Sequence, residues 1–234
     1  MTDATAPWLV LDPTLPVGPQ LVRALRGAIV SNRLEPGTRI SEAEIGQRHG
    51  VSRQPVREAF IRLAEEGLLE IRPQRGTFVR KISIPAVLDA RFVREAIEAD
   101  VARACALKAS VDLVRDLRAQ LDDQRALGAR DPAGFVDLDD RFHRRLAIGA
   151  GRPGAWAVID GMKSQMDRVR RLTAARLPFD HLLIQHSAIV EAIAAGNARA
   201  AEAAMRQHLQ GMLSDLAAIQ AACPQHFEPP ADPG

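Results

Sequence analysis

An aspartate and a histidine stand four residues apart in the stretch LDDRFHRRL, as Asp139 and His143. On an α-helix this spacing places both side chains on the same face. A carboxylate and an imidazole are good ligands for a transition-metal ion, and they also form a common buried hydrogen-bonding pair. The chemistry therefore depends on whether this face points to solvent or to the protein interior.

The apolar pattern of the surrounding helix predicts that the pair faces inward. At ~100° per residue, Asp139 and His143 fall inside the arc formed by the apolar residues of 132–149. His186 lies at the centre of an apolar stripe of its own, and His208 borders a third stripe. The sequence thus predicts one buried carboxylate and three inward histidines on three helices.

Two explanations are open for this set of four residues. A single buried histidine is more often a hydrogen-bonded core residue than a metal ligand. Several buried polar groups each need a partner, however, and one divalent ion would serve all four at once. Three imidazoles and a carboxylate suit Zn²⁺, Ni²⁺ or Mn²⁺, so we expect a divalent metal ion whose identity stays open.

One arginine lies in an apolar stripe. On the helix predicted for 84–109, Arg94 falls among inward positions, where an unpaired guanidinium is costly. It has two explanations that can coexist. Arg94 forms an ion pair with Glu98 one turn on, or it binds the carboxylate of a small effector bidentately.

The elements around these residues are predicted to be mainly helical. Aromatic residues make up 4% of the chain, and long helical stretches separated by Gly and Pro follow Lys81. We predict six helices in an antiparallel bundle domain over 82–222, followed by a flexible tail over 223–234. The predicted helices span 84–109, 111–127, 132–149, 154–176, 180–195 and 197–221.

Residues 1–81 show a different organisation. An amphipathic helix ends at EPG, and a second helix follows Ser41, which caps it together with Glu44 and is closed by Gly50. A third helix follows Ser52, which is predicted to cap it, and two short strands joined by PQRG come next. This order predicts a winged helix-turn-helix domain.

The third helix carries the candidate DNA contacts. Its apolar residues pack inward, so Arg53, Gln54 and Arg57 stay free at its N-terminal end. A recognition helix reads base edges from its N-terminal residues, and arginine matches the two acceptors of guanine. Arginines on a solvated helix face would otherwise serve only solubility, but the helix order and the wing favour DNA binding.

Charge and composition argue against a membrane-spanning or secreted protein. Residues 1–80 hold 11 basic and 9 acidic groups, so the net charge of +2 lies entirely in the N-terminal third. No apolar run approaches the roughly 18 residues of a membrane span, and no signal-peptide pattern opens the chain. Two isolated cysteines fit a reducing compartment, and we expect a cytoplasmic protein.

The string GVSRQPVREA…EGLL…RGTFV closely resembles the DNA-binding domain of GntR-family bacterial transcription regulators. The resemblance implies that the operator's major groove is contacted from the recognition helix and that the wing adds further contacts. The implied residues are Ser52, Arg53, Gln54, Arg57, Arg75 and Gly76. Ala43 replaces an arginine found in many relatives, which removes one expected contact.

The second part of the chain is similar to the ligand-binding FCD domain of the FadR subfamily. The resemblance is carried by DDRFH and by two later histidines, and it implies a metal held by Asp139, His143, His186 and His208. It also implies that Arg94 helps to hold an acidic effector. Six predicted helices resemble the VanR-type branch, and His181 fits no family position.

We therefore expect a homodimeric transcription factor, most simply a repressor, that binds a two-fold DNA operator. A small organic acid bound near the metal would change operator binding. The main alternative is a metal-dependent hydrolase or lyase with a DNA-binding appendage. Four protein ligands leave little room for an activated water, and no inward Glu or Ser has a clear general-base role, so no enzyme is expected. A direct metal sensor is the third reading, in which Arg94 has no explanation.

Overall fold

The computed structural model describes residues 10–174, 178–211 and 216–229. Its contacts divide the chain into two compact units, one comprising Met1–Ile84 with Cys223–Gly234 and the other Pro85–Ala222. The change of unit thus falls three residues after the boundary predicted at 81/82. Among the described residues no helix combines the length and apolar character needed to cross a bilayer.

The first unit is a winged helix-turn-helix. It consists of α1 (Val17–Val30), β1 (Arg39–Ile40), α2 (Glu42–His49), α3 (Arg53–Glu65), β2 (Leu69–Arg72) and β3 (Gly76–Val79). The three strands form an antiparallel sheet in the order β1-β3-β2. The prediction of helices followed by a wing is confirmed, and β1 adds a third strand to the two that were predicted.

Local capping explains where α2 and α3 begin and end. The Ser41 hydroxyl accepts hydrogen bonds from the amides of Ala43 and Glu44, and Gly50 ends α2 in the left-handed conformation at φ 66°. Ser52 occupies the N-cap position of α3, but its side chain makes no capping hydrogen bond, contrary to the prediction. Its exposed hydroxyl is not used by the helix.

The segment predicted as a flexible tail instead pairs with the first unit over its described residues. Phe227 forms a parallel β-bridge with Ile82, and both side chains are buried. The amide of Ile82 donates to the carbonyl of His226 at 2.8 Å, and the amide of Glu228 donates to the carbonyl of Ile82 at 2.9 Å. Glu228 also pairs with Arg80 at 3.0 Å. Only residues 230–234 of the predicted tail lie outside the described part of the chain.

This packing predicts that Phe227→Ala destabilises the protein. Removing a buried phenyl ring costs about 3–5 kcal/mol, and Phe227 is 2% exposed. Urea unfolding followed by circular dichroism measures the loss. Gln225→Ala, an exposed position in the same segment, is the control and is expected to change stability by less than about 0.5 kcal/mol. Equal stability of both variants would show that the packing of Phe227 does not stabilise the protein.

The second unit is built from helices. Those described are α4 (Ile84–Lys108, whose first residue belongs to the first unit), α5 (Val111–Leu127), α6 (Pro132–Gly149), α7 (Pro153–Met162), α8 (Ser164–Leu172), α9 (Phe179–Ala194), α10 (Ala198–Gly211) and α11 (Leu216–Ala222). Their shared apolar core includes Val101, Leu117, Phe142, Ile189 and Met205. The prediction of a mainly helical domain is confirmed.

One predicted helix is two helices. The expected helix over 154–176 is interrupted at Lys163, which separates α7 from α8, and its last residues 175–177 lie outside the described chain. The predicted count of six is therefore wrong, and it gives no support for the VanR-type branch. Residues 212–215 of the predicted helix 197–221 are likewise outside the described part.

The helix α8 is polar in sequence yet buried in the structure. Every residue from Ser164 to Arg170 is buried, including Asp167, Arg168 and Arg170. Buried charges are tolerated when each is paired, and this requirement leads directly to the candidate site.

Candidate metal centre and DNA-binding helix

Four side chains from three helices converge inside the second unit. Asp139 and His143 come from α6, His186 from α9 and His208 from α10, and each is at most 1% exposed. One potential ligand atom from each residue lies within 4.8 Å of all the others. The structure thus brings together the four residues that the sequence singled out.

The ring nitrogens named Nε2 point at one another. The distance from His143 Nε2 to His208 Nε2 is 3.2 Å, and His186 Nε2 lies 3.4 Å from His208 Nε2. An oxygen of Asp139 is 3.3 Å from His186 Nε2. Three imidazole nitrogens and a carboxylate that face a common point are a donor set that suits a divalent transition metal.

Each histidine meets a side-chain oxygen at its other nitrogen, Nδ1. Gln124 Oε1 lies 2.8 Å from Nδ1 of His186, and Gln185 Oε1 lies 3.1 Å from Nδ1 of His208. The carboxylate of Glu98 contacts Nδ1 of His143. Such outer partners orient metal-binding histidines and fix their tautomers.

A buried ionic network surrounds Asp139. The guanidinium of Arg170 contacts Asp139 and also pairs with Asp140 at 2.9 Å and Asp167 at 3.3 Å. Lys163 pairs with Asp140 at 2.6 Å and contacts Asp167. The break between α7 and α8 places Lys163 among these acids, so the polar helix completes the site from one side.

Burial and neighbouring charges set the protonation states of the acids. Burial alone would raise the pKa of Asp139, but Arg170 and the adjacent histidines hold it well below its usual range. Burial would also raise the pKa of Glu98, yet Arg94 and His143 lower it overall. Both acids are therefore carboxylates at neutral pH.

The same burial keeps two histidines neutral. Burial lowers the pKa of His186, although the carboxylate of Asp139 opposes the shift. The pKa of His208 falls well below its usual value because of burial and the nearby His186 and His143. Neutral imidazoles are the form that binds metals.

Arg94 is fully buried and is paired within its own helix. Its guanidinium donates to Glu98, which is 3% exposed. The ion pair weighed from the sequence is present, and Glu98 bridges Arg94 to His143. Glu98 is also an inward glutamate beside the candidate ligands, although the sequence indicated no inward glutamate with a general-base role.

Sequence reasoning missed most of the outer partners. Gln124 and Gln185 carry no motif, and the only available signal was their position on inward helix faces. Arg170 and Lys163 lie in a polar segment, and polarity by itself gives no sign of burial. Their roles depend on which helices are neighbours, and that is a property of the packed structure.

The predicted DNA-contacting residues form a separate group in the first unit. Arg53, Gln54 and Arg57 are exposed in the first turns of α3, while Val56, Phe60 and Leu63 are buried on its opposite side. Gln54 donates to Glu58 at 2.9 Å, which orients its amide. The helix therefore presents polar donors from its N-terminal end, as a recognition helix does.

The wing presents Arg75 and Gly76 at its turn. Arg75 is exposed, and its amide donates to the carbonyl of Arg72 at 3.0 Å. Gly76 has φ 106°, and a Cβ there would lie 2.8 Å from Nε of Arg39. Gly76 is thus required by the turn, whose positive φ side-chain-bearing residues rarely adopt.

The fold defines a two-part protein, with a winged helix-turn-helix unit and a helical unit that contains the candidate metal centre. Residues 19–79 match the profile of the "Bacterial regulatory proteins, gntR family", and residues 89–211 match that of the "FCD domain". The chain belongs to the gntR family of bacterial regulatory proteins and carries an FCD domain. It is a DNA-binding transcription regulator.

Known proteins agree with this assignment. The chain is 43% identical over 212 residues to the "HTH-type transcriptional repressor RspR" of Escherichia coli (strain K12), covering 90% of this chain and 93% of the relative. It is 28% identical over 194 residues to a "Probable D-xylose utilization operon transcriptional repressor" of Paenarthrobacter nicotinovorans, covering 79% and 82%.

Solved structures share the fold. The structure titled "E. coli McbR/YncC" has a TM-score of 0.72 at 15% identity and covers 89% of this chain and 99% of its own. A GntR crystal structure from Rhodococcus sp. RHA1 has a TM-score of 0.66 at 27% identity, covering 88% and 98%.

The recognition helix gives a testable prediction. Arg53→Ala and Arg57→Ala are each expected to weaken operator binding by about 1–3 kcal/mol if they contact guanine bidentately. Gel shifts with a duplex selected from a random library by the wild-type protein measure the effect. Arg62→Ala, an exposed arginine near the C-terminal end of the same helix, is the control. Undiminished affinity of both test variants would remove α3 as the reading helix.

Proposed function

We propose that this regulator is a metal-containing repressor whose operator binding responds to a small carboxylate. Its helical unit would hold a divalent ion through Asp139, His143, His186 and His208. The observation that supports this most is the convergence of three Nε2 atoms and a carboxylate, all fully buried. A bound ion supplies a fixed positive charge to which a carboxylate can bind.

The protonation states support the metal site over a hydrogen-bonded core. Two histidines are kept neutral by burial, and all three meet oxygens at Nδ1. A neutral imidazole has one N–H, so an Nδ1 that donates leaves Nε2 with a lone pair. The Nε2 lone pairs of His186 and His208, which face each other at 3.4 Å, are repulsive unless a cation binds both. The donor set suits Zn²⁺, Ni²⁺ or Mn²⁺.

Arg94 is the proposed second contact of the effector. It lies one helical turn from Glu98, and Glu98 contacts the ligand His143. Arginine binds carboxylates through two parallel hydrogen bonds. Glu98 would hold the guanidinium in place while the effector bridges Arg94 and the metal.

The regulator is proposed to act as a homodimer on a two-fold operator. A single winged helix covers a half-site, and paired modules read sites about one DNA turn apart. Leu88 and Phe92 are exposed apolar residues one turn apart on α4, which fits a contact through the helical unit. Sedimentation of the whole chain at micromolar concentration tests this, and a monomer would exclude it.

A direct metal sensor is the second candidate. From the sequence, a metal sensor leaves Arg94 without a role, but the buried pair with Glu98 gives Arg94 a structural role. An enzyme is not proposed. Glu98 is the buried glutamate beside the ligands, and its contacts with Arg94 and His143 lower its pKa and occupy it, so it is poorly placed to act as a general base.

Native mass spectrometry and elemental analysis of the purified chain test the proposal. We expect one metal ion per chain and, with candidate acids added, a second mass increment. Arg94→Ala should keep the metal and lose the acid. An Arg94→Ala protein that binds the acid as the wild type does would remove Arg94 as an effector contact. A wild type that binds metal but none of the acids would favour the direct metal sensor, and a wild type that takes up none of the three ions would leave a hydrogen-bonded core.

A further inference from the structure

The outer contacts of the histidines have one shared feature. Each Nδ1 meets an oxygen from a different side chain: Glu98 on α4, Gln124 on α5 and Gln185 on α9. Glu98, Gln124 and Gln185 are all buried. None of the three is among the four candidate ligands.

The orientation of the Gln124 amide follows from its second contact. Its Nε2 donates to the backbone carbonyl of Leu138 at 3.5 Å. A carbonyl oxygen can only accept, so the NH₂ group of Gln124 must face Leu138. The amide oxygen then faces His186, and Nδ1 of that ring must carry the proton.

The Gln185 amide is oriented from the other side. Its Nε2 lies 3.1 Å from Nε2 of His181, an exposed histidine that can accept there in its neutral form. With His181 accepting, the oxygen of Gln185 faces Nδ1 of His208. His181 has no place among the ligands, and this contact gives it a role.

The side chain of Glu98 has no amide group whose orientation must be assigned. A carboxylate only accepts, so its contact with His143 places a proton on Nδ1 of that ring. The guanidinium of Arg94 donates to the same carboxylate and orients it. All three rings are thus directed toward one tautomer by groups on three different helices.

We propose that Gln124 and Gln185, with Glu98, are positioning residues that fix the Nδ1–H tautomer of the three histidines and so present three unprotonated Nε2 atoms to the metal. This inference rests on the proposed metal site. It assigns the metal affinity partly to side chains that never touch the ion. Loss of such outer partners typically weakens metal binding about 10–100-fold.

Substitutions of the glutamines test this role through Zn²⁺ affinity, measured by competition with a chromophoric chelator. Gln124→Leu and Gln185→Leu keep the volume and remove the acceptor, and each should weaken binding about 10–100-fold. Gln124→Glu keeps an acceptor oxygen and should bind within a few-fold of the wild type. Gln120→Leu, one turn away on the same helix and without contact to a ligand histidine in the described chain, is the matched control.

A direct readout of the tautomers needs no substitution at the site. A ¹H–¹⁵N two-bond correlation spectrum of histidine-labelled protein, with and without Zn²⁺, should show His143, His186 and His208 as Nδ1–H rings. Single histidine variants assign the signals. An Nε2–H ring at His186 or His208 would overturn the proposal, as would leucine variants that bind Zn²⁺ as tightly as Gln120→Leu.

The outcomes separate this inference from the metal site itself. If wild-type protein binds no Zn²⁺, Ni²⁺ or Mn²⁺, the proposed function fails, and the tautomer spectrum still decides whether the glutamines set the proton positions. If the wild type binds Zn²⁺ and Gln124→Leu and Gln124→Glu, both folded, weaken it equally, packing explains the effect and the positioning role is rejected.

Discussion

Replacing His186 by alanine is expected to abolish tight metal binding and to lower the thermal midpoint of the helical unit. His186 contributes one of three nitrogens, and its ring stacks on Phe142 with centroids 4.5 Å apart. Metal ligands gathered from three helices couple binding to folding, because an ion that binds only the folded state stabilises it. At a free concentration 1,000 times its dissociation constant, an ion contributes about 4 kcal/mol.

The comparison is made with and without chelator. Wild-type protein stripped of metal should melt about 10 °C lower than the loaded protein, given about 2–4 °C per kcal/mol for a domain of this size. His186→Ala should melt at one temperature in both conditions. His49→Ala, in the other unit, should keep the chelator-dependent shift. A wild-type thermal midpoint that changes with neither chelator nor added Zn²⁺ would refute the coupling of metal binding to folding.

Arg170→Ala is expected to cause the largest loss of stability, although Arg170 is not one of the candidate metal ligands. Arg170 is 6% exposed and contacts three acids, Asp139, Asp140 and Asp167. Truncating one partner of a buried ion pair costs about 3–5 kcal/mol, because the remaining charge is left uncompensated. Since whole domains have only about 5–15 kcal/mol of stability, the helical unit would become marginal.

The neighbouring arginine provides the control for this substitution. Arg171 pairs with Asp137, whose side chain is 66% exposed, so Arg171→Ala should cost less than about 1 kcal/mol. Urea unfolding of both variants measures the difference, and an unchanged slope would show that the compactness of the states is preserved. Similar losses in the two variants would mean that the buried network around Asp139 adds nothing to stability.

Local patterns were sufficient for the DNA-binding unit. Ser41 and Gly50 bound α2, and Val56, Phe60 and Leu63 form the buried side of α3, as predicted. These features depend on hydrogen bonds and contacts within a few residues, which the sequence states directly. The capping role of Ser52 was the exception, because the side-chain rotamer decides whether a hydroxyl reaches an amide.

Local polarity was misleading where tertiary contacts compensate for it. The residues around Lys163 were predicted to continue one long helix, and Asp167 and Arg170 have the composition of an exposed face. The structure buries them because each charge is paired: Asp167 with Lys163 and Arg170 close by in the chain, and Arg170 also with Asp140 on α6. The segment around Phe227 was predicted to be a flexible tail, and one aromatic residue among prolines gives no periodic pattern that would indicate packing.

The sequence by itself determined the direction in which the candidate ligands face. Helical periodicity placed Asp139, His143, His186 and His208 on inward faces, and the structure buries all four. What only the tertiary structure decided is that α4, α5, α6, α9 and α10 bring these faces to one point, with Glu98, Gln124 and Gln185 behind the rings. Periodicity fixes the angle of a side chain about its own helix, whereas the distance between side chains depends on how helices distant in sequence pack together.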